Sequence, residues 1–235
     1  MKIIFLTLFP EIFPAFLNFS ILKRAQEKGL IEFEVVNLRD FGLGVHKNVD
    51  DRPYGGGAGM VLKADVLSSA VSKIKTRNTR IVLTSASGTP YIQKTARILS
   101  GDKDLIIICG HYEGIDERFI EKYVDMEISI GDYVLTGGEL PALVIADSIT
   151  RLLPGVLKKP EASENESFSD PSLLTPHSSL LLEYPHYTRP EEFEGINVPE
   201  VLLSGNHKEI ELWRKQKSLE KTKKIRPDLL GLKRV

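Results

Sequence analysis

The segment from Ser129 to Ala142 places the end of a strand, two glycine turns and the start of a helix within fourteen residues, SIGDYVLTGGELPA. Its first residues alternate between apolar and polar, as in a half-buried strand, and Gly131 ends the run. We expect the glycine pair, Gly137 and Gly138, to permit positive φ and to let the backbone approach a ligand closely. An acid and a proline follow, and both suit the first turn of a helix. The segment therefore predicts a ligand-binding loop at the carboxyl end of a strand in an open α/β sheet.

Two further runs have the same construction. Arg80–Thr84 (RIVLT) and Leu105–Cys109 (LIIIC) are short, apolar and rich in β-branched residues, as expected of strands buried on both faces of a parallel sheet. Small residues follow each run, at 85–88 and at Gly110. Taken singly, each loop is also compatible with an ordinary turn between a strand and a helix. Together, three strands that end in glycine-bearing loops predict a single binding site.

Length and composition restrict the fold and the compartment. A chain of 235 residues with 42% hydrophobic residues can form one large domain, or one domain and a smaller second one. No apolar stretch reaches membrane-spanning length, and Pro10 and Pro14 interrupt the apolar start where a secretory signal would continue, so we predict a first strand over 2–9. The single cysteine, Cys109, excludes an intrachain disulfide and indicates a cytoplasmic location. Its place in an apolar strand favours an inert core thiol.

The charge is distributed unevenly along the chain. Residues 207–235 hold ten Lys or Arg against four acids, a net charge of +6, whereas residues 1–206 carry −7. In the helix predicted there, the basic side chains cluster beside Trp213, a pattern that suits binding to a phosphate backbone. The alternative is a solvated helix face.

The order of predicted elements indicates an α/β fold with a largely parallel sheet. Besides the strands above, we predict a strand at 33–37 and helices at 16–28, 64–75, 92–99, 115–123 and 140–153. From Lys158 to Ser179 the periodicity disappears, and Pro, Ser, Glu and Asn dominate. We therefore predict a first domain over 1–157, a flexible linker over 158–183 and a small, mainly helical domain over 184–235.

One glycine-rich motif fits neither common nucleotide-binding pattern. Val49–Lys63, VDDRPYGGGAGMVLK, contains four glycines in five positions but lacks the Gly-Lys-Ser/Thr ending of a P-loop and follows no clear strand. It is either a flexible surface loop or a loop whose bare backbone lies against a nucleotide. The residues alone leave both interpretations open.

Six motifs give the chain a resemblance to a known family: DDRPYGGGAGM (50–60), CGHYEGIDER (109–118), SIGDYVLTGGELPA (129–142), LLPGVL (152–157), YPHYTRP (184–190) and VLLSGNH (201–207). They resemble the bacterial tRNA (guanine-N1)-methyltransferase family, TrmD, of the SPOUT superfamily. The resemblance implies methyl transfer from S-adenosylmethionine to N1 of the guanosine immediately 3′ of a tRNA anticodon, which helps to maintain the reading frame. It also implies a SPOUT-type sheet with a deep trefoil knot, a homodimer whose active site is shared between subunits, and an association with Mg²⁺.

The resemblance further assigns site residues by position. The implied cofactor contacts are Ser85, Gly110, Tyr112, Glu113, Ile130, Gly131, Tyr133, Leu135, Gly137, Gly138 and Pro141. The implied RNA contacts are Gly57, Gly59, His186, Arg214 and Lys215. The first loop departs from the family, because relatives usually have Pro-Gln before the glycine whereas this chain has Ala86 and Ser87.

The reaction requires a general base, because the lone pair of guanine N1 becomes available only as its proton leaves. Charge develops on O6, where a cation or a hydrogen-bond donor is needed. The resemblance assigns this second task to Arg151. It places the base at Glu166, where relatives have Asp, and Asp170 is the alternative base. The five histidines show no metal-site spacing, and no carboxylate cluster identifies a Mg²⁺ site.

Two other functions remain open. The first is a non-catalytic RNA-binding protein that retains the SPOUT fold, which the Glu166 replacement and the altered first loop favour. The second is a related SPOUT enzyme that methylates another RNA or a nucleoside. The intact glycines of the 131–138 loop and Arg151 argue against the first, and the 55–59 glycines and the C-terminal motifs argue against the second.

Overall fold

A computed structural model describes residues 1–158, 166–168 and 181–232. The chain divides into two compact units, an N-terminal unit over Met1–Lys158 and a C-terminal unit over Lys159–Val235. Most of the segment predicted to be a linker, and with it Asp170, lies outside the described residues. The predicted boundaries of the domains and of the linker therefore stay predictions.

The N-terminal unit contains a five-stranded sheet in which all paired strands are parallel. The strands of the chain are β1 (Lys2–Thr7), β2 (Glu32–Asn37), β3 (Asp50–Asp51), β4 (Val61–Leu62), β5 (Thr79–Pro90), β6 (Asp104–Cys109), β7 (Met126–Ser129), β8 (Glu192–Phe193) and β9 (Ile196–Asn197). The sheet order is β2-β1-β6-β5-β7. The α/β class with a parallel sheet is thus confirmed, and the carboxyl ends of β5, β6 and β7 lie side by side.

Helices cover both faces of this sheet. They are α1 (Phe13–Leu17), α2 (Ser20–Glu27), α3 (Ala64–Ile74), α4 (Gln93–Ser100), α5 (Glu117–Tyr123), α6 (Glu139–Thr150), α7 (Glu200–Leu203) and α8 (His207–Ile225). In β1, Ile3 and Phe5 pack into the core beneath α1, α2, α4 and α6, whereas Ile4 and Leu6 pack beneath α3 and α5. Because both faces are buried, the strands read as continuous apolar runs rather than alternating ones.

The helix predicted over 16–28 is wrong in its bounds, because the chain forms two helices there. Helix α1 already begins at Phe13, and Pro14 lies in its first turn, where a missing N–H costs no hydrogen bond. The chain leaves the helix at Asn18 and re-enters it at Ser20, whose φ is +49°. Gly29, with φ +67°, follows α2, as expected for a residue that ends a helix.

Strand β5 continues beyond the predicted end at Thr84 and contains a bulge. Thr84 and Thr89 both pair with Ile128 of β7, so the residues at 85–88 protrude from the ladder. A Cβ at Gly88 would come within 3.0 Å of the Ile128 backbone, which explains the glycine at this position.

The C-terminal unit contains the β8–β9 hairpin and two helices, of which α8 is the longer at nineteen residues. Asn206 caps α8 by accepting a hydrogen bond from the Glu209 N–H. The backbone of Leu182 donates to the hydroxyl of Thr222 on α8 at 2.9 Å. None of the described helices combines the length and apolar character needed to cross a membrane.

Candidate active site

The three glycine-bearing loops of the N-terminal unit meet at one point. The N–H of Gly138 donates to the carbonyl of Gly110 at 2.8 Å. The hydroxyl of Thr84, at the end of the regular part of β5, lies 3.2 Å from the Gly138 carbonyl and 3.4 Å from the Gly110 nitrogen. The three strands end at one point, as predicted, and the structure brings Gly110 and Gly138 together with Thr84, the neighbour of the predicted cofactor contact Ser85.

Close approach, not positive φ, explains the glycine pair. A Cβ at Gly138 would lie within 3.0 Å of the Thr84 hydroxyl, the Gly110 nitrogen and the Cys109 Cα. The φ of Gly138 is −84°, and Gly137 is also outside the left-handed region. The expectation that this pair adopts positive φ is therefore wrong. At Gly138 the Thr84 hydroxyl and the adjoining backbone leave no room for a side chain, whereas a Cβ at Gly137 would meet the side chains of Glu139 and His111.

The loop that follows β7 is a compact turn with exposed apolar side chains. Gly131 has φ +157°, and the ring of Tyr133 lies where its Cβ would be. The Tyr133 N–H donates to the Gly131 carbonyl at 2.9 Å, and the Ser129 hydroxyl donates to the same carbonyl at 3.0 Å. Tyr133 and Leu135 remain 55% and 40% exposed. The turn thus presents an aromatic and an aliphatic surface to solvent beside the point where the three loops meet.

The loop that follows β6 holds a strained aromatic residue. Tyr112 has φ +58°, an uncommon conformation for a bulky side chain, and it is 44% exposed. Its N–H donates to Nδ1 of His111 at 3.0 Å. The His111 ring packs against Phe9 at a centroid distance of 5.0 Å. Strain of this kind is typical of residues held for a functional reason.

The glycine-rich motif at 49–63 is joined to the same loop. The Glu113 N–H donates to the Met60 carbonyl, and the Leu62 N–H donates to the Gly114 carbonyl, both at 3.0 Å. Gly59 has φ +85°, and a Cβ there would collide with the Glu113 side chain. The motif is therefore an exposed loop whose end is anchored beside a predicted cofactor residue. Gly57, with φ +118°, lies in its exposed part.

A buried acid that sequence reasoning missed lies beside the glycine pair. Glu139 is only 6% exposed, and its Oε1 accepts a hydrogen bond from the hydroxyl of Thr7 at 2.8 Å. Thr7 in turn accepts the N–H of Phe9 at 2.9 Å. Burial, together with the Glu139 carboxylate, raises the pKa of the Cys109 thiol well above its ordinary value, as expected of an unreactive core thiol. The sequence signal that could have indicated a buried polar partner was Thr7, a polar residue at the end of an otherwise apolar strand.

The charges of the three loops have one sign. The residues at 85–88, 110–114 and 130–139 contain Glu113, Asp132 and Glu139 but no lysine or arginine. Loops of this composition disfavour phosphate groups and favour a ligand that carries positive charge. Pro141, the last predicted cofactor contact, is buried in the first turn of α6.

The predicted catalytic residues are distributed over both units. Arg151 follows α6 in the N-terminal unit, is half-buried, and its N–H donates to the Asp147 carbonyl at 3.1 Å. Glu166 is a half-buried residue of the C-terminal unit. Its neighbour Ser167 accepts the Glu183 N–H at 3.0 Å through its hydroxyl. The alternative base, Asp170, lies outside the described residues.

The RNA contacts predicted in the C-terminal unit lie on α8 and on the segment packed beside it. The Arg214 guanidinium lies 4.8 Å from the centroid of the Tyr184 ring, a cation–π contact. His186 pairs with Glu183, and Lys215 pairs with Glu211, each at 2.8 Å. Hydrogen bonding to Lys215 lowers the pKa of the Glu211 carboxyl.

Within the part of the chain that the structure describes, no group of three or more His, Cys, Asp or Glu side chains is arranged to hold a metal ion.

Comparison with known proteins decides the family. The model of the tRNA (Guanine-1)-methyltransferase TrmD family matches residues 1–232. The chain belongs to this family. The tRNA (guanine-N(1)-)-methyltransferase of Carboxydothermus hydrogenoformans is 55% identical over 233 residues, which cover 99% of this chain and 88% of that protein. The proteins of the same name from Clostridioides difficile and Bacillus pumilus are 52% and 54% identical, over 97% and 98% of this chain and 97% and 92% of their own lengths. The TrmD resemblance inferred from the six motifs is thus confirmed.

Proposed function

We propose that this TrmD-family protein transfers a methyl group from S-adenosylmethionine to N1 of the guanosine 3′ of a tRNA anticodon, in the cytoplasm, and so helps to maintain the reading frame. The observation that carries this proposal is the family match over residues 1–232, together with the convergence of the three loops at Thr84, Gly110 and Gly138. Loops that combine bare backbone with acids suit a cofactor that has a cationic sulfonium and no phosphate.

In this proposal the cofactor binds to the three loops. Gly110, Gly137 and Gly138 carry no side chains that would keep the cofactor away from the backbone, while Tyr133 and Leu135 provide an apolar surface for the adenine ring. S-adenosylmethionine supplies an electrophilic methyl group on sulfur. We also propose that these loops form the trefoil knot of SPOUT enzymes. A role for Mg²⁺ remains an expectation from the family.

The chemical step needs two protein groups near guanine. Glu166 is proposed as the base that takes the N1 proton, with Asp170 as the alternative, and Arg151 stabilises the charge that develops on O6. A methyl–sulfur bond breaks with its electron pair left on sulfur, and a methyl–nitrogen bond forms at N1. The proton taken from N1 passes to the base and then to water.

The tRNA is proposed to bind through the basic helix α8 and through the 55–59 loop. Arg214 and Lys215 lie on exposed positions of α8, and eight Lys or Arg lie between 207 and 226. Contacts to phosphates release counterions, so tRNA affinity should fall steeply as salt concentration rises. An affinity that does not change with salt would contradict this part of the proposal.

We also propose a homodimer in which the N-terminal unit of one subunit and the C-terminal unit of the other form the active site. Support comes from α6, where Leu140 and Val144 lie one turn apart and are 53% and 47% exposed. Such an apolar face is typical of an interaction surface. Mixing Arg151→Ala chains with chains crippled in the basic helix α8, in which Arg214, Lys215 and the neighbouring lysines are replaced together, should restore activity in some heterodimers. Verified subunit exchange without recovery of activity would argue against shared sites.

One assay tests the proposed function against its alternatives. The full chain is incubated with methyl-labelled S-adenosylmethionine and tRNA transcripts that carry or lack guanosine 3′ of the anticodon, and the methylated base is mapped. We expect label at N1 of that guanosine and none in the transcript that lacks it. Binding of tRNA without methylation would indicate the non-catalytic RNA-binding protein, and label at another base would indicate a different SPOUT activity.

A further inference from the structure

The Glu139 carboxylate has one oxygen that the fold does not use. Glu139 is only 6% exposed, and its Oε1 accepts the hydrogen bond from Thr7. Among the residues that the structure describes, none forms a hydrogen bond with Oε2. The N-terminus of the twelve-residue helix α6 offsets part of the cost of a buried negative charge, because its N–H groups present partial positive charge. Since Oε1 is used by Thr7, Oε2 is the atom through which this carboxylate can interact with a ligand.

The unpartnered oxygen points into the proposed cofactor site. Glu139 Oε2 and His111 Nε2 both lie within 3.0 Å of the position that a Cβ on Gly137 would take. Gly137 belongs to the loop that meets Gly110 and Thr84 through its neighbour Gly138. The titratable groups near the carboxylate are His111 and Cys109, and burial keeps the Cys109 thiol protonated. The three loops contain no lysine or arginine that could neutralise the Glu139 charge, and the protonated Cys109 thiol carries no charge.

We propose that Glu139 is a specificity-determining residue, whose buried charge makes the site bind the cationic methyl donor more tightly than the neutral product. This inference rests on the proposed function. S-adenosylmethionine carries a positive charge on sulfur, and loss of the methyl group converts this sulfonium to a neutral thioether. The electrostatic attraction to Glu139 therefore ends with the transfer, because the electron pair of the broken bond remains on sulfur. Product release is favoured at the step where it is needed.

Calorimetric titration of the full chain with S-adenosylmethionine and with S-adenosylhomocysteine tests the proposal. Glu139→Gln removes the charge and keeps an oxygen that can accept the Thr7 hydrogen bond. We expect this variant to lose about tenfold in affinity for S-adenosylmethionine and less than about threefold for S-adenosylhomocysteine, since a charge interaction worth one pKa unit corresponds to tenfold. Glu121→Gln is the matched control, because Glu121 is an exposed acid of α5 outside the three loops, and it should change neither affinity.

A second variant and a second ligand separate charge from structure. Thr7→Val removes the hydrogen bond to Oε1 but keeps the charge, so the ratio of the two affinities should stay at the wild-type value even if the melting temperature falls. If Glu139→Gln does not fold, wild-type protein is titrated with sinefungin, whose amine places a positive charge near the sulfonium position. Sinefungin should bind more tightly than S-adenosylhomocysteine.

The outcomes that would contradict the role of Glu139 can be distinguished from the outcome that would contradict the proposed function. Equal losses for both ligands in Glu139→Gln would mean that the acid only orders the loop or His111, and would overturn the proposal. Unchanged affinities, or sinefungin binding no better than S-adenosylhomocysteine, would overturn it as well. Wild-type protein that binds none of these nucleosides would refute the proposed function itself.

Discussion

The two units provide their site residues in opposite ways. In the N-terminal unit, the site is built from backbone in close contact, and the Gly138 N–H lies 2.8 Å from the Gly110 carbonyl with no space for a Cβ. In the C-terminal unit, charged side chains provide the proposed contacts from the helix surface. The Lys215–Glu211 pair is also separated by 2.8 Å, but its side chains are 72% and 67% exposed.

This difference predicts how each unit responds to substitution. Where backbone packs against backbone, the structure cannot accommodate an added methyl group. The effect of such a substitution on stability and binding is therefore steric, large and independent of salt. Where exposed charges act, each side chain contributes little to the free energy of binding. The contributions of well-separated residues add, and salt screens them. The following substitutions either confirm or refute this contrast between a steric and an electrostatic site.

The largest effect is expected for Gly138→Ala. The new Cβ would collide with Thr84, Gly110 and Cys109, and the loops would have to separate. We expect a destabilisation of about 3 kcal/mol or more and loss of S-adenosylmethionine binding, measured by thermal unfolding and calorimetry.

Gly101→Ala is the matched control for this substitution. Gly101 has φ −85°, and the nearest contact of a Cβ would be the Ile98 carbonyl at 3.4 Å. Its stability and cofactor affinity should stay close to wild type. Normal cofactor binding by Gly138→Ala would show that the loops tolerate a side chain and that the steric description of this site is wrong.

The second largest effect concerns Glu166. A general base contributes typically about 10²–10⁴-fold, so Glu166→Gln should lower single-turnover methyl transfer by at least about 10²-fold. Affinities for cofactor and tRNA should stay nearly unchanged, and Glu166→Asp should keep much of the activity. If Glu166→Gln is nearly as fast as wild type while Asp170→Asn is inactive, then Asp170 is the base.

The sequence was sufficient for the parts of the site that depend on local patterns. Apolar runs such as Leu105–Cys109 allow a parallel strand to be recognised without tertiary information, and glycines mark the points where such strands end. The 129–142 segment forms the strand end, turn and helix start that were predicted. These features follow from backbone sterics and from burial on both faces, which act over a few residues.

The sequence was insufficient where residues distant along the chain determine the geometry. Glu139 looks like an ordinary acid in the first turn of a helix, and only the fold brings Thr7 to it across 132 positions. The expectation of positive φ for the Gly137–Gly138 pair was also wrong. The atoms that a Cβ would meet belong to Thr84, Gly110 and Cys109 at Gly138, and to Glu139 and His111 at Gly137. Contacts of this kind depend on the order of strands in the sheet.

A smaller effect is expected for Arg214→Ala. The guanidinium lies over the Tyr184 ring, which holds it in a defined position on the exposed surface of α8. Loss of one phosphate contact should weaken tRNA binding by roughly fivefold and lower the slope of log affinity against log salt by about 1. Glu220→Gln, on the same helix, is the control for helix stability. An unchanged slope for Arg214→Ala would place this residue outside the RNA contact.

The smallest effect is expected for Ser87→Ala, which tests the loop where this chain departs from the usual family sequence. The Ser87 hydroxyl lies 2.8 Å from the Ser85 hydroxyl and donates to Glu127 Oε1 at 3.0 Å, so it connects the β5 bulge to β7. These hydrogen bonds are exposed, and each is worth only about 0.5–1.5 kcal/mol net. We therefore expect the KM for S-adenosylmethionine to rise about two- to fivefold while kcat stays unchanged.

Ser68→Ala, which removes a surface hydrogen bond on α3, should leave both constants unchanged. If the KM of Ser87→Ala equals that of wild type, the backbone and the Thr89 hydroxyl, which donates to the Glu127 carbonyl at 3.0 Å, are sufficient to fix the bulge.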